Sequence, residues 1–90
     1  MKKINFKKFK MFADIAHERT TEADVSRSIA DLMYKMSNGV VSLDLAMRIY
    51  KSDGEIELNP EEYAVLERFI MDNTTAVFID SFRANVTEND

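Results

Sequence analysis

Four consecutive residues, Asn59-Pro60-Glu61-Glu62, constrain this chain more than any others. The short Asn59 side chain can accept bonds from the free amides of a first helical turn. Pro60 suits the first helical position, where its missing N–H costs nothing, and the two glutamates face the positive end of the helix dipole. The spacing predicts a helix from this point, with Tyr63, Leu66, Phe69 and Ile70 marking its buried face as far as about Asn73. Just before it, Glu55-Ile56-Glu57-Leu58 alternates polar and apolar as a strand does.

Other helices follow from the same period. Val25, Ile29, Leu32, Met33 and Met36 recur on one helical face, so a helix is expected from about Glu22 to Met36, capped by Thr20 or Thr21 and ended at Asn38-Gly39. Ser42 is the expected cap of a second helix from Leu43 to Ser52, with Leu45, Ala46, Ile49 and Tyr50 inward and Gly54 closing it. The short link makes the two helices packed neighbours. Thr74 or Thr75 restarts the chain into a last helix with Phe78, Ile79, Phe82 and Val86 on one face, although its β-branched residues leave a strand as the alternative.

The N-terminal segment is ambiguous, because five lysines would oppose the dipole of a helix that began there, while Ile4 and Phe6 alternate as in a strand. Residues 3–7 are therefore expected as a short strand paired with residues 55–58. In that pairing Ile4 and Phe6 share the core face with Ile56 and Leu58, and Lys3 and Lys7 lie near Glu55 and Glu57. Phe9, Phe12, Ala13 and Ala16 then read as a helix. The fold class expected is mainly α: a compact bundle of four to five short helices, with the two-stranded β ribbon of residues 3–7 and 55–58 as an optional addition. One domain spans residues 1–86, since 90 residues supply only one core, and residues 87–90 form a frayed tail.

Composition limits the chemistry. No cysteine is present, so neither disulfides nor thiolate metal sites are available. The basic N-terminus does not open into the apolar run of an export signal, and no later stretch approaches the roughly 20 apolar residues that cross a bilayer. A cytoplasmic location is the expectation. The formal charge of −4 is uneven, because Lys2, Lys3, Lys7, Lys8 and Lys10 give the first ten residues +5 and leave −9 for the rest. An acidic body argues against binding duplex DNA. The lysines interleaved with Phe6, Phe9 and Phe12 are the one candidate contact with nucleic acid.

Each remaining constellation has a plain structural explanation. Ser52-Asp53-Gly54-Glu55-Ile56 resembles the middle of a calcium loop, but with Gly54 in the glycine place the first, third and last ligand positions fall on Ile49, Lys51 and Pro60. His17 is the only histidine, has no nucleophile motif beside it, and reads as a solvated residue at a helix end. Glu61 and Glu62 project about 100° apart and cannot converge on one bond. The methionines, Met33, Met36, Met47 and Met71 among them, read mostly as core filling rather than as an adaptable binding surface. No catalytic, metal or cofactor residue is assigned, and no cofactor is expected.

The segments Phe12-Ala13-Asp14-Ile15-Ala16, Ala30-Asp31-Leu32-Met33-Tyr34, Leu45 to Gly54 and Phe78-Ile79-Asp80 resemble small helical proteins of unknown function from phages, prophages and mobile elements of gut bacteria. That resemblance implies an accessory or assembly factor that binds another protein inside a bacterial cell. The functional expectation is a non-enzymatic interaction domain with an unidentified protein partner and an open capacity for self-association. The alternative is a small regulator touching nucleic acid through the lysine arm.

Overall fold

A computed structural model of the protein describes residues 1–88. The order of elements is β1 (Lys2–Asn5), β2 (Phe9–Phe12), β3 (Thr20–Ala23), α1 (Ser26–Met36), α2 (Val40–Lys51), β4 (Glu55–Leu58), α3 (Pro60–Asn73), α4 (Ala76–Asn85) and β5 (Thr87–Glu88). Two antiparallel sheets form, one ordered β4-β1-β5 and the other the pair β2-β3. The fold is α+β, and the expectation of a mainly helical bundle is corrected accordingly.

The predicted ribbon is present within the larger sheet, but its first strand spans Lys2–Asn5 rather than residues 3–7, and Lys7 lies in the turn that follows instead of pairing with β4. Lys3 pairs with Glu57, Ile4 with Ile56 and Asn5 with Glu55. Ile4, Phe6 and Leu58 are buried, and Lys3 Nζ lies 3.8 Å from both the Glu55 and Glu57 carboxylates. The strand ends at Asn5, whose Oδ1 accepts from the N–H groups of Lys7 and Lys8, an Asx turn that redirects the chain into β2. The tail expected to fray contributes β5, where Thr87 and Glu88 pair with Lys3 and Lys2. Residues 89 and 90 of that tail lie outside the described residues.

Residues 9–23 depart most from the helical expectation. Phe9 to Phe12 form β2 rather than a helix, and Thr20 to Ala23 form β3 rather than the cap and first turn of α1. The β-branched pair Thr20-Thr21 suits a strand. The start of α1 moves to Ser26, where the Asp24 carboxylate accepts from both the hydroxyl and the N–H of Ser26. Those two bonds hold the Asp24 carboxyl below the usual carboxylate range. The second helix likewise starts earlier than expected, at Val40, and Ser42 is a buried residue within it rather than its cap.

Gly39 makes the tight link between α1 and α2, with φ of 97° and ψ of 163°, a region that only glycine occupies without strain. A Cβ built there would meet nothing within 4 Å, so any cost of adding one is purely backbone. Gly39→Ala is expected to lower stability by about 1–3 kcal/mol. Urea denaturation checks this as a lower midpoint with an unchanged slope.

The capping signals of α3 and α4 form as expected. Asn59 Oδ1 accepts from the Glu62 N–H at 2.8 Å while Glu62 Oε1 accepts from the Asn59 N–H at 2.9 Å, and Thr75 caps α4. Between the sheets and helices lies a file of aromatic rings: Phe9 on Phe78 at 4.9 Å, Phe6 on Phe9 at 5.8 Å, and Phe82 at 6.4 Å from Phe6 and 6.1 Å from Tyr63. Burial, then the hydrogen bond from its hydroxyl to Glu67, pushes the Tyr63 phenol up to about 12. Arg48 ties three elements together by donating to the Glu62 carboxylate of α3 and to the Glu57 carbonyl of β4.

Candidate functional site

Helices α1 and α2 pack on each other through Ile29, Ala30, Met33, Leu45, Ala46 and Ile49, all nearly or fully buried. Where Ala30 and Ala46 meet, no large side chain fills the outer seam. A groove of about 290 Å³ remains, walled by Tyr34, Met47 and Tyr50, with Asp31 and Lys51 of opposite charge on its rim. Tyr34 is 65% exposed, Tyr50 51% and Met47 41%, and Leu43 and Val40 continue the same side of α2 toward the hairpin end. The Arg27 guanidinium lies 5.7 Å from the Tyr50 ring centre, which holds that ring at the groove's edge.

Two sequence expectations are corrected here. Tyr50 faces out rather than in, and of the four methionines read mostly as core only Met33 is buried; Met36, Met47 and Met71 are exposed. A signal for this was present. In α2 the apolar residues Leu43, Met47 and Tyr50 form a stripe at spacings of four and three, separate from the stripe of Leu45, Ala46 and Ile49. One helix carrying two apolar stripes has more than one core can absorb.

His17 lies in the loop from β2 to β3, not at a helix end. Its backbone is left-handed at φ of 59°, its ring stacks on Phe12 at 3.6 Å, and its Nε2 lies 2.6 Å from the Asp80 carboxylate. The loop is closed by Ala13 N–H donating to the Arg19 carbonyl and by Glu18 N–H donating to Asp14. Ile15 at its crown is 97% exposed, above a hollow of about 450 Å³ that Ala76, Val77 and Asp80 of α4 also line. The neighbouring hydroxyl, that of Ser81, is buried and accepts from the Phe12 N–H. The pair is thus an imidazole held in place by a stack and an acid, which fixes the loop against α4.

The five N-terminal lysines do not form an arm. Lys2 pairs with Glu88 at 3.8 Å and covers the Tyr63 ring at 4.8 Å, and Lys3 sits between Glu55 and Glu57. Lys7 and Lys8 occupy the turn after β1, and Lys10 is exposed on β2. Of the three rings that would have stacked on bases, Phe6 and Phe9 are buried and Phe12 is half-buried against the His17 ring. Asp53 and Glu55 stand at the entry to β4 beside a shallow notch lined by Asp44, Arg48 and Lys51.

The fold and this groove define a small α+β domain with an open two-helix face. The chain matches no family model, and no curated protein or solved structure shows significant similarity to it. Among the described residues, no helix is long and apolar enough to cross a membrane.

Proposed function

We propose that this protein is a non-enzymatic interaction domain whose α1–α2 groove receives an amphipathic helix of a partner protein. The observation that carries the reading is the run of Tyr34, Val40, Leu43, Met47 and Tyr50 on one face, none of them less than 41% exposed. Tyrosine and methionine are the residue types enriched at protein interfaces, and rings with only two side-chain torsions lose little entropy when covered. The Ala30-Ala46 floor leaves room for one large apolar side chain, and Asp31 and Lys51 on the rim orient the incoming helix by charge.

An assembly or accessory role in the cytoplasm of a bacterium, in a phage or mobile-element setting, is part of this proposal. The cysteine-free composition suits a reducing compartment. Phage structural genes beside its own would support that setting.

A photo-crosslinking residue placed at Met47 in the native host tests the reading. A crosslinked protein is expected that disappears when Tyr34→Ala or Tyr50→Ala is added, and persists with Arg68→Ala, an exposed residue of α3 that does not line the groove. Exposed substitutions of this kind change stability by about 0.5 kcal/mol or less, so unchanged thermal melting separates lost docking from lost fold. Crosslinking that ignores both tyrosines would overturn the groove as the docking site.

A further inference from the structure

The two sheets expose strand edges, and the molecule treats those edges differently. On β2, Asn85 Oδ1 accepts from the Lys10 N–H at 3.1 Å, Asn85 Nδ2 donates to the Lys10 carbonyl at 2.8 Å, and Ser81 Oγ accepts from the Phe12 N–H at 3.0 Å. Helix α4 therefore seals that edge with side chains. On β4, the Glu57 carbonyl accepts from Arg48. β5 is only two residues long.

Among the described residues, β3 has no such cover. Since Lys10 and Phe12 turn their backbone groups toward α4, the ladder to β3 runs through Phe9 with Ala23 and Met11 with Thr21. It continues to Ala13, whose N–H donates to the Arg19 carbonyl at 3.0 Å. Alternation then directs the N–H and C=O groups of Thr20 and Glu22 outward, and all four residues of β3 are exposed. A row of unpaired strand groups is a template for another strand.

We infer that the outer edge of β3 pairs antiparallel with the same edge of a second copy of this chain, about a two-fold axis at Thr21. This surface is separate from the α1–α2 groove. The register is self-complementary. With Thr21 opposite Thr21, each Thr20 faces Glu22 of the other copy, and those are the residues whose backbone groups point outward. Both pairs become hydrogen-bonded pairs, and Thr21 sits at the close, non-hydrogen-bonded position. Charge agrees with this register. Lys10 lies across from Glu22 within each copy, so the order across the new sheet is Lys10, Glu22, Thr20, Phe12, and no like charges stand directly opposite each other. A two-stranded ribbon is marginal by itself, and pairing makes it four-stranded.

The test uses the whole chain. Sedimentation across a range of concentrations is expected to show a monomer–dimer equilibrium. Thr20→Glu sets two carboxylates face to face at both symmetric positions and should weaken the dimer about fivefold, whereas Thr20→Lys should strengthen it by a similar factor. Circular dichroism of each variant checks that the exposed substitution leaves the monomer folded. Independently, the chain has no cysteine, so Thr21→Cys introduces a lone thiol. Non-hydrogen-bonded antiparallel pairs have Cα atoms about 4.5 Å apart, within disulfide range, and mild oxidation should trap a covalent dimer far faster than for Arg68→Cys. Equal trapping rates for the two cysteines, or a monomer at every concentration, would overturn the inference. A dimer indifferent to the charge at position 20 would overturn it as well and assign self-association to another face. Met47→Glu is expected to leave the dimer unchanged, so failure here and failure of the groove reading are told apart.

Discussion

Phe9→Ala is expected to remove about 3–5 kcal/mol of stability, the range for deleting a fully buried aromatic ring. For a domain of this size total stability is on the order of 5–13 kcal/mol, so the variant would lose from about a quarter of it to all of it, and its urea midpoint should fall accordingly. The reason is position as well as burial. Phe9 is fully buried, and its ring is the link between Phe78 of α4 and Phe6 at the end of β1. Removing it opens a cavity between Phe6 at the end of β1 and Phe78 of α4. Phe12→Ala is the comparison: Phe12 is only partly buried and stacks on His17 in the loop, so its loss should cost clearly less. Equilibrium urea unfolding of the two variants beside the wild type gives the contrast directly, and equal costs would mean that the aromatic file is not the centre of the core.

Phe9 also shows where the sequence was readable and where it was not. Signals that act within a few residues translated well. The Asn59 and Glu62 box formed in full, Thr75 capped α4, and the alternation in Glu55 to Leu58 made a strand, because each depends only on neighbours in the chain. The pairing of β1 with β4 was also readable, since lysines and glutamates alternate against apolar residues on both strands. What failed depends on distant partners. Phe9 and Phe12 stand three apart and fit a helical face as easily as two sides of a strand. The choice is made by Ser81 and Asn85, some seventy positions later, which hold the outer edge of β2 in extended form. Thr20 to Ala23 carry no apolar alternation, so nothing in them stops the helical pattern of Val25 onward from reading back over them. Only the partner β2 makes them a strand.

The surface followed the same rule. Tyr50 is adjacent to Ile49 in sequence and reads inward with it, but one residue on a helix is a turn of about 100°, and the Arg27 guanidinium holds the ring at the rim. The exposed methionines could not be told from buried ones by type. Only the position of Ala30 and Ala46, which close the contact between α1 and α2 without filling its seam, determines that Met47 lines a groove.

The double variant Ser81→Ala/Asn85→Ala should show the second large effect, a loss of about 3 kcal/mol together with a change in association. Three hydrogen bonds to the backbone of β2 disappear, each with a net contribution of about 1 kcal/mol. The bond from Asn85 to the Ser81 carbonyl is lost as well, at the C-terminal turn of α4, which raises the cost further. The consequence for assembly is distinct from the consequence for stability. In the wild type, β2–β3 has one sealed edge and one open edge, so strand pairing through β3 closes on itself as a dimer. With the Lys10 and Phe12 backbone groups no longer bonded by α4, each copy has two edges with unpaired groups, and pairing can continue from one dimer to the next as an open array. Light scattering under native conditions should therefore rise with time for the double variant. Adding Thr20→Glu should slow it. Gly39→Ala, brought to the same fraction unfolded by urea but with β2 still sealed, should stay clear at the same concentration. Equal scattering from both would attribute the association to unfolding, and would show that Ser81 and Asn85 contribute stability without guarding the edge.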